Sequence, residues 1–486
     1  MSLSHLVEGC FNMINLYEFR KYAHQMVDWM ADYCAEVEKY PVKSTVGPRE
    51  IYDQLPADAP SDGESIDEIM EDFQKIILPG ITHWQSPNFF AFFPANSSYP
   101  SILAEMLTAA LGLQCMIWET SPAAAELEEK ALNWAKRMIG LPEHFEGVIQ
   151  DSASSATLCA ILTAREKFSD FRINETGFEG FQNLRVYCST ETHSSIEKAV
   201  KIAGFGRRNL VKIEVDEKLR LRPDRLKEAI ANDISNGKKP VCVIATIGTT
   251  GTAAIDPLDE ISKICSQYGI WLHVDAAYAG TALVLPEYRW MIEGIDRVDS
   301  FVFNPHKWMF TNFDCSAYFV KDKGALIRTF EILPEYLKTR SQGQVNNYRD
   351  WGIPLGRRFR ALKLWFVIRN FGVEGIREKI RYHIQLAKDF ARSISDHDHF
   401  ELTAPLSLNV VCFRFRPEGL DDAEIDLLNE KLLHRLNLTG KLYLTHTKVR
   451  GMYTIRFVTG QTNVTEKHVY QAWELIQEKA FEIMTR

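Results

Sequence analysis

Between residues 15 and 38, Leu16, Phe19, Ala23, Met26, Val27, Met30, Cys34 and Val37 recur at helical spacing. Asn15 stands ready as an N-cap and Pro41 lies beyond the end, so the spacing predicts an amphipathic helix. A connector rich in Pro, Gly and Asp (41–64) follows. Ser65-Ile66-Asp67-Glu68 then opens a second helix with a capping box ahead of Ile69, Phe73 and Ile77. From about 95 to 320 the pattern changes to short apolar runs, each consistent with a buried strand, alternating with helical stretches. These runs are Gly147–Gln150, Leu184–Ser189, Leu210–Val215, Val241–Ile247, Ile270–Val274, Ser300–Phe303 and Ala317–Val320, the pattern of a mostly parallel sheet covered on both faces. A long helical region (about 357–393) leads to strand-like runs at Leu408–Phe415 and Met452–Val458, separated by a helix at about 421–436. The expected organisation is an N-terminal helical arm (1–94), a large α/β domain (95–365) and a small C-terminal α+β domain (366–486). Two helices on a loose arm suggest docking onto another subunit.

Composition leaves this picture unchanged. The 486 residues are 46% hydrophobic and 25% charged, the balance of an ordinary globular protein. A net charge of −8 gives no electrostatic footprint for nucleic acid. No apolar run is long enough to span a membrane, and the N-terminus lacks a signal-peptide pattern. Nine cysteines without a C-x-x-C pair read as reduced, mostly buried thiols, and the expected location is the cytoplasm.

Candidate chemistry gathers where the strand-like runs end. Asn304-Pro305-His306-Lys307-Trp308 directly follows the run ending at Phe303, which places a lysine beyond the carboxyl edge of the sheet, where open α/β sheets bind ligands. A lone lysine there is ordinarily a surface residue. Its partners change that expectation. Asp275 closes the run Trp271-Leu272-His273-Val274-Asp275, a costly place for a carboxylate unless a cation sits opposite, although it could also cap a helix. Ser152-Ala153-Ser154-Ser155 joins a strand to an Ala/Leu-rich helix and would turn backbone N–H groups toward a phosphate, or merely cap the helix. His193 follows the run 184–189, and Thr249-Thr250 follows the run 241–247. Read singly, these have plain structural explanations. Together, five strand ends bring matching chemistry to one sheet edge: a lysine that could hold pyridoxal 5'-phosphate (PLP) as an imine, and a carboxylate that could face its pyridinium nitrogen. Asp396-His397-Asp398-His399 points its side chains in divergent directions and reads as a solvated turn, so no metal site is expected.

These residues resemble the group II PLP-dependent decarboxylases, most closely the aromatic L-amino acid decarboxylases. The similarity runs from His83-Trp84-Gln85-Ser86-Pro87 through Asn304-Pro305-His306-Lys307-Trp308 to Ile353-Pro354-Leu355-Gly356-Arg357-Arg358-Phe359-Arg360. The resemblance implies the aspartate-aminotransferase fold (fold type I) with a seven-stranded large-domain sheet. It implies a homodimer whose active sites lie at the subunit interface, and a small amino-acid substrate. By the same resemblance Lys307 is the Schiff-base lysine, Asp275 the pyridinium partner and His193 the residue stacked on the ring. Ala153, Ser154 and His306 contact phosphate, Thr250, Ala277 and Asn304 complete the cofactor site, and Gly356 arrives from the neighbouring subunit.

Trp84, Phe92, Phe93, Pro94, Ala95 and Met116 correspond to the family's substrate pocket, beside His193 and Thr250. Phe92, Ala95 and Met116 stand where animal members often carry Tyr, Thr and Phe, and Gly356 where some relatives have a bulkier residue, so an indole ring is permitted. Tyr336, in Pro334-Glu335-Tyr336-Leu337-Lys338, matches the mobile-loop tyrosine that protonates the substrate carbon after CO2 loss. Related aldehyde synthases typically replace that tyrosine with Phe, or the stacked His with Asn. Asp151 departs from the glycine that usually precedes the Ser-Ala-Ser turn. The expected reaction is decarboxylation of an aromatic L-amino acid to its amine. The alternatives are an aldehyde synthase, a decarboxylase of a polar amino acid, and a PLP-binding protein without turnover.

Overall fold

The computed structural model of the chain describes residues 14–332 and 344–484. Seven strands form the large sheet: β1 (Glu146–Gln150), β2 (Leu184–Ser189), β3 (Leu210–Ile213), β4 (Lys239–Thr246), β5 (Trp271–Asp275), β6 (Ser300–Phe303) and β7 (Ser316–Val320). Their spatial order is β1-β7-β6-β5-β4-β2-β3. Only β7 runs against its neighbours, pairing antiparallel with both β1 and β6. Every residue of β5, β6 and β7 is buried, which explains why their sequences read as continuous apolar runs. Helices on both faces leave no solvent side for a polar alternation. Along β4, Cys242 and Ile244 enter the core packed on helix Ala153–Phe168, while Val243 and Ala245 enter the core on the opposite face with helix Leu258–Tyr268.

The predicted caps are present. Asn15 and Glu18 form a reciprocal capping box on helix Leu16–Glu36, and Ser65 and Glu68 do the same on helix Ile66–Asp72. The stripe on the first helix is not buried in the single chain: Leu16 is 76% and Phe19 55% exposed. Helix Arg360–Ser395 spans the position expected to divide the two large units and breaks at Gly372, whose φ of +67° suits a residue without a Cβ.

The C-terminal sheet is fully antiparallel, in the order β10-β11-β9-β8. It comprises β8 (Phe400–Leu402), β9 (Val410–Phe415), β10 (Thr445–Val449) and β11 (Met452–Val458). The sequence pattern found β9 and β11 but not β8 and β10. β8 has three residues and β10 (Thr-His-Thr-Lys-Val) is a largely polar edge strand, so neither carries a strong apolar signal. β8, β9 and β11 share a core with helices Asp422–Leu438 and Glu466–Met484.

Candidate active site

β6 ends at Phe303, and the chain turns through Asn304 into the single helical turn Pro305–Trp308. Ser316 Oγ donates to Asn304 Oδ1 (2.8 Å). The Cys315 amide donates to His306 Nδ1 (2.9 Å). Burial pushes the His306 pKa down to about 3, so this imidazole is a neutral acceptor. Asn96 Nδ2 donates to the carbonyls of both Lys307 and Gly460, each at 2.7 Å, tying the lysine's backbone to the small domain. The Lys307 side chain thus leaves a fixed turn, with Nζ 5.5 Å from the centroid of the Phe93 ring.

A cavity of about 190 Å³ surrounds this amine. Asp275, the last residue of β5, is 6% exposed and accepts the Ala277 amide on Oδ1 (3.0 Å). Desolvation lowers the Lys307 pKa, partly opposed by the Asp275 charge. His193 caps helix Ser194–Ile202, its Nδ1 accepting the Ser195 amide (3.2 Å) and lying 2.8 Å from Ser195 Oγ. Its pKa is lowered by desolvation and by the Lys307 charge, against a raising effect of Asp275. With Nδ1 occupied as an acceptor, neutral His193 carries its proton on Nε2.

On the β1 side, Ser152 caps helix Ala153–Phe168 by accepting the Ser155 amide (3.2 Å). First-turn amides have no intrahelical acceptor and face an anion favourably. Of the two threonines after β4, Thr249 is buried and accepts the Ala254 amide (3.0 Å), leaving Thr250 to face the cavity.

The structure therefore brings Phe93, Ala153, Ser154, His193, Thr250, Asp275, Ala277, Asn304, His306 and Lys307 around one space. Trp84, Phe92, Pro94, Ala95, Met116 and Gly356 do not line it within the single chain. Trp84 and Phe92 stack on each other at 5.8 Å. The Ala95 carbonyl accepts from Gln85 Nε2 (2.7 Å), and the Met116 carbonyl accepts from the Arg349 amide (2.9 Å). Gly356 is exposed and borders a separate cavity of about 120 Å³. Tyr336 lies outside the described residues.

Sequence reasoning assigned no role to Tyr278, Phe313 or Ser195, which also line the space. Tyr278 lies three residues past Asp275 and Ser195 two past His193, so proximity to assigned residues was the available signal. Phe313, before β7, gave none.

A desolvated lysine of lowered basicity is suited to condensing with an aldehyde. On the same cavity, the Asp275 carboxylate offers the charge that a protonated ring nitrogen needs, and the first-turn amides after Ser152 offer donors that a phosphate needs. These residues fit PLP, and with the fold they define a PLP-dependent enzyme of fold type I. Residues 48–416 match the pyridoxal-dependent decarboxylase conserved domain. The chain is 43% identical to tyrosine decarboxylase 2 of Narcissus pseudonarcissus, covering 95% of this chain and 94% of that one. It is likewise 43% identical to a phenylacetaldehyde synthase of Arabidopsis thaliana, covering 95% and 96%. The crystal structure of Oryza sativa TDC with PLP and tryptamine superposes with a TM-score of 0.95 at 38% identity, covering 98% of this chain and all of that one. The chain belongs to the pyridoxal-dependent decarboxylase family, and its cofactor is PLP.

Proposed function

We propose that this chain removes the α-carboxylate of an aromatic L-amino acid to give the arylalkylamine and CO2, working as a homodimer in the cytoplasm. The observation that carries the reading is the convergence of Lys307, Asp275 and His193 on one cavity walled by Phe93. Relatives named for tyrosine decarboxylation and a neighbour solved with tryptamine support the aromatic class. An aromatic wall also leaves a polar side chain poorly solvated. The unit boundaries at 94 and 365 belong to the same proposal.

When bound, PLP supplies an aldehyde for the lysine amine and a ring that accepts the electron pair released with CO2. The chain supplies the rest. Desolvation favours the neutral Lys307 Nζ that can attack a carbonyl carbon. Asp275 holds the proton on the ring nitrogen, and His193, with Nδ1 taken by Ser195, keeps its Nε2–H available on the cavity it lines. Ala153 and Ser154 amides, with His306, anchor the phosphate. Tyr336 delivers the proton to the substrate's Cα.

Support for the dimer comes from apolar surface that the single chain leaves uncovered. Helix Tyr99–Leu111 presents Tyr99 (62% exposed), Leu103 (55%), Leu107 (47%) and Leu111 (56%). Met116 and Gly356, outside the chain's own cavity, would serve the partner's. No helix among the described residues is long and apolar enough to cross a membrane.

The second reading, an aldehyde synthase, is favoured by the phenylacetaldehyde synthase relative and opposed by the presence of both His193 and Tyr336. The test is to incubate the PLP-loaded protein with tyrosine, DOPA, phenylalanine, tryptophan, 5-hydroxytryptophan, histidine and glutamate, quantifying CO2, amine and peroxide. Equal CO2 and amine from aromatic substrates supports the proposal. Peroxide would replace it with the synthase, and histidine or glutamate turnover would overturn the aromatic pocket. Tyr336→Phe should shift products from amine to aldehyde, ammonia and peroxide.

A further inference from the structure

Behind the Ser152 turn lies a dense group of charges. Arg357 pairs with Glu128 at 2.7 Å, and Arg360 pairs with Asp314 through two contacts at 2.9 and 3.1 Å. Lys363 (2.7 Å) and Arg358 both pair with Glu105. Four cations thus face three carboxylates in direct ion pairs, leaving one positive charge in excess.

Asp151 is the fourth carboxylate. It lies between Gln150, the last residue of β1, and the helix cap Ser152. With Arg357, Arg360 and Gly356 it lines the cavity of about 120 Å³. Its Oδ1 is buried without a hydrogen-bond partner, and Asp151 makes no ion pair among the described residues. Its charge is nonetheless felt at Arg360: burial there opposes the cation, but the Asp314 hydrogen bond and charge, then Cys315 and least of all Asp151, raise the pKa. The Arg357 Nη1 atom on the same cavity is likewise buried and unpartnered. A buried carboxylate oxygen without a donor is costly. The Arg357 and Arg360 guanidiniums on the same cavity and the positive end of helix Ala153–Phe168 act against that cost.

We infer that Asp151 is an internal counter-anion that neutralises the basic ground behind the phosphate turn, stabilising the cofactor-free chain and weakening its hold on the PLP phosphate. Without it, the excess positive charge and the helix terminus would act undiminished on the phosphate dianion. With it, a negative charge adjacent in sequence to the Ser152–Ser154 cradle repels that dianion. The inference rests on the reading that this turn holds the phosphate.

The experiment measures PLP binding to apoprotein by absorbance and tryptophan-fluorescence titration, for the wild type and for Asp151→Asn and Asp151→Gly. Pyridoxal, which lacks the phosphate, is the second probe. Both variants should bind PLP roughly tenfold more tightly, the order expected for one charge acting on a dianion across a partly solvated path, with pyridoxal binding unchanged. Apo Asp151→Asn, nearly isosteric, should melt at a lower temperature than the wild-type apoprotein. PLP affinity in Asp151→Asn equal to or below wild type would overturn the inference, as would equal tightening for pyridoxal. Wild-type protein that binds PLP no better than pyridoxal would instead overturn the placement of the phosphate at this turn.

Discussion

The rings of Phe93 and Tyr278 lie face to face, 3.9 Å between centroids and 9° from parallel. Tyr278 stacks in turn on Trp308 at 4.8 Å. The three rings come from the segment before the large domain, the loop after β5 and the turn that bears Lys307. The guanidinium of Arg456, in β11, sits 5.3 Å from the same Phe93 ring that Lys307 approaches. The stack therefore fixes the cavity wall and the lysine turn against one another and against the small domain.

Asn409 Nδ2 donates to the Tyr278 hydroxyl (2.6 Å) and to the Thr459 carbonyl (3.0 Å), all buried. Tyr278→Phe keeps the stack and removes one acceptor. The expected cost is about 1–2 kcal/mol of stability, read by urea denaturation, with the absorbance of bound PLP retained. Loss of that absorbance would show that the hydroxyl positions the site and does not merely support it.

Asp275→Asn retains the shape of the side chain but removes its charge. The ring nitrogen would lose its proton partner, and decarboxylation should fall by roughly 10²–10³-fold while PLP still binds. Lys307→Ala should abolish the visible absorbance of the covalently held cofactor and reduce turnover to background. A Lys307→Ala protein with wild-type spectrum and rate would remove the lysine from its assigned role.

Three buried histidines set an acid limit on stability. His273 is pushed down to about 4, and His306 and His383 to about 3, in each case chiefly by desolvation. Below pH 6.5 the unfolded chain protonates all three while the native chain does not. It therefore binds more protons, and stability falls as pH drops. Asp256 opposes this, because burial raises its native pKa to about 6 and the native state gains a proton first. These four groups by themselves contribute a net loss of roughly 3 kcal/mol between pH 7.5 and 5.5, measurable by urea titration of the wild type and of variants at the two values. His383→Gln should remove about a third of the histidine contribution.

If the exposed face of helix Tyr99–Leu111 is the dimer contact, Leu103→Glu combined with Leu107→Glu places two charges on it. Sedimentation should show the wild type near twice the chain mass and the variant as a monomer. Because Met116 and Gly356 would then be missing from each site, activity should fall in parallel. A dimeric, active variant would place the interface elsewhere.

The sequence by itself determined the elements whose apolar pattern is continuous or strongly periodic. All seven large-sheet strands fell within a few residues of their expected places; in β5, β6 and β7 burial on both faces enforces an unbroken apolar run. Lys307, Asp275, His193 and the Ser152 turn were legible because each follows such a run directly, and the sheet's parallel order brings those ends to one edge. Tertiary structure decided what local pattern does not encode. The short β8 and polar β10 exist because β9 and β11 need partners. Tyr278, Phe313 and Ser195 reach the cavity through loops whose paths are set by distant contacts, and Asn96 ties Lys307 to Gly460 across more than two hundred residues of chain. The charge balance around Asp151 belongs to the same class: its cations and carboxylates come from four separate segments, and only packing brings their fields to one place.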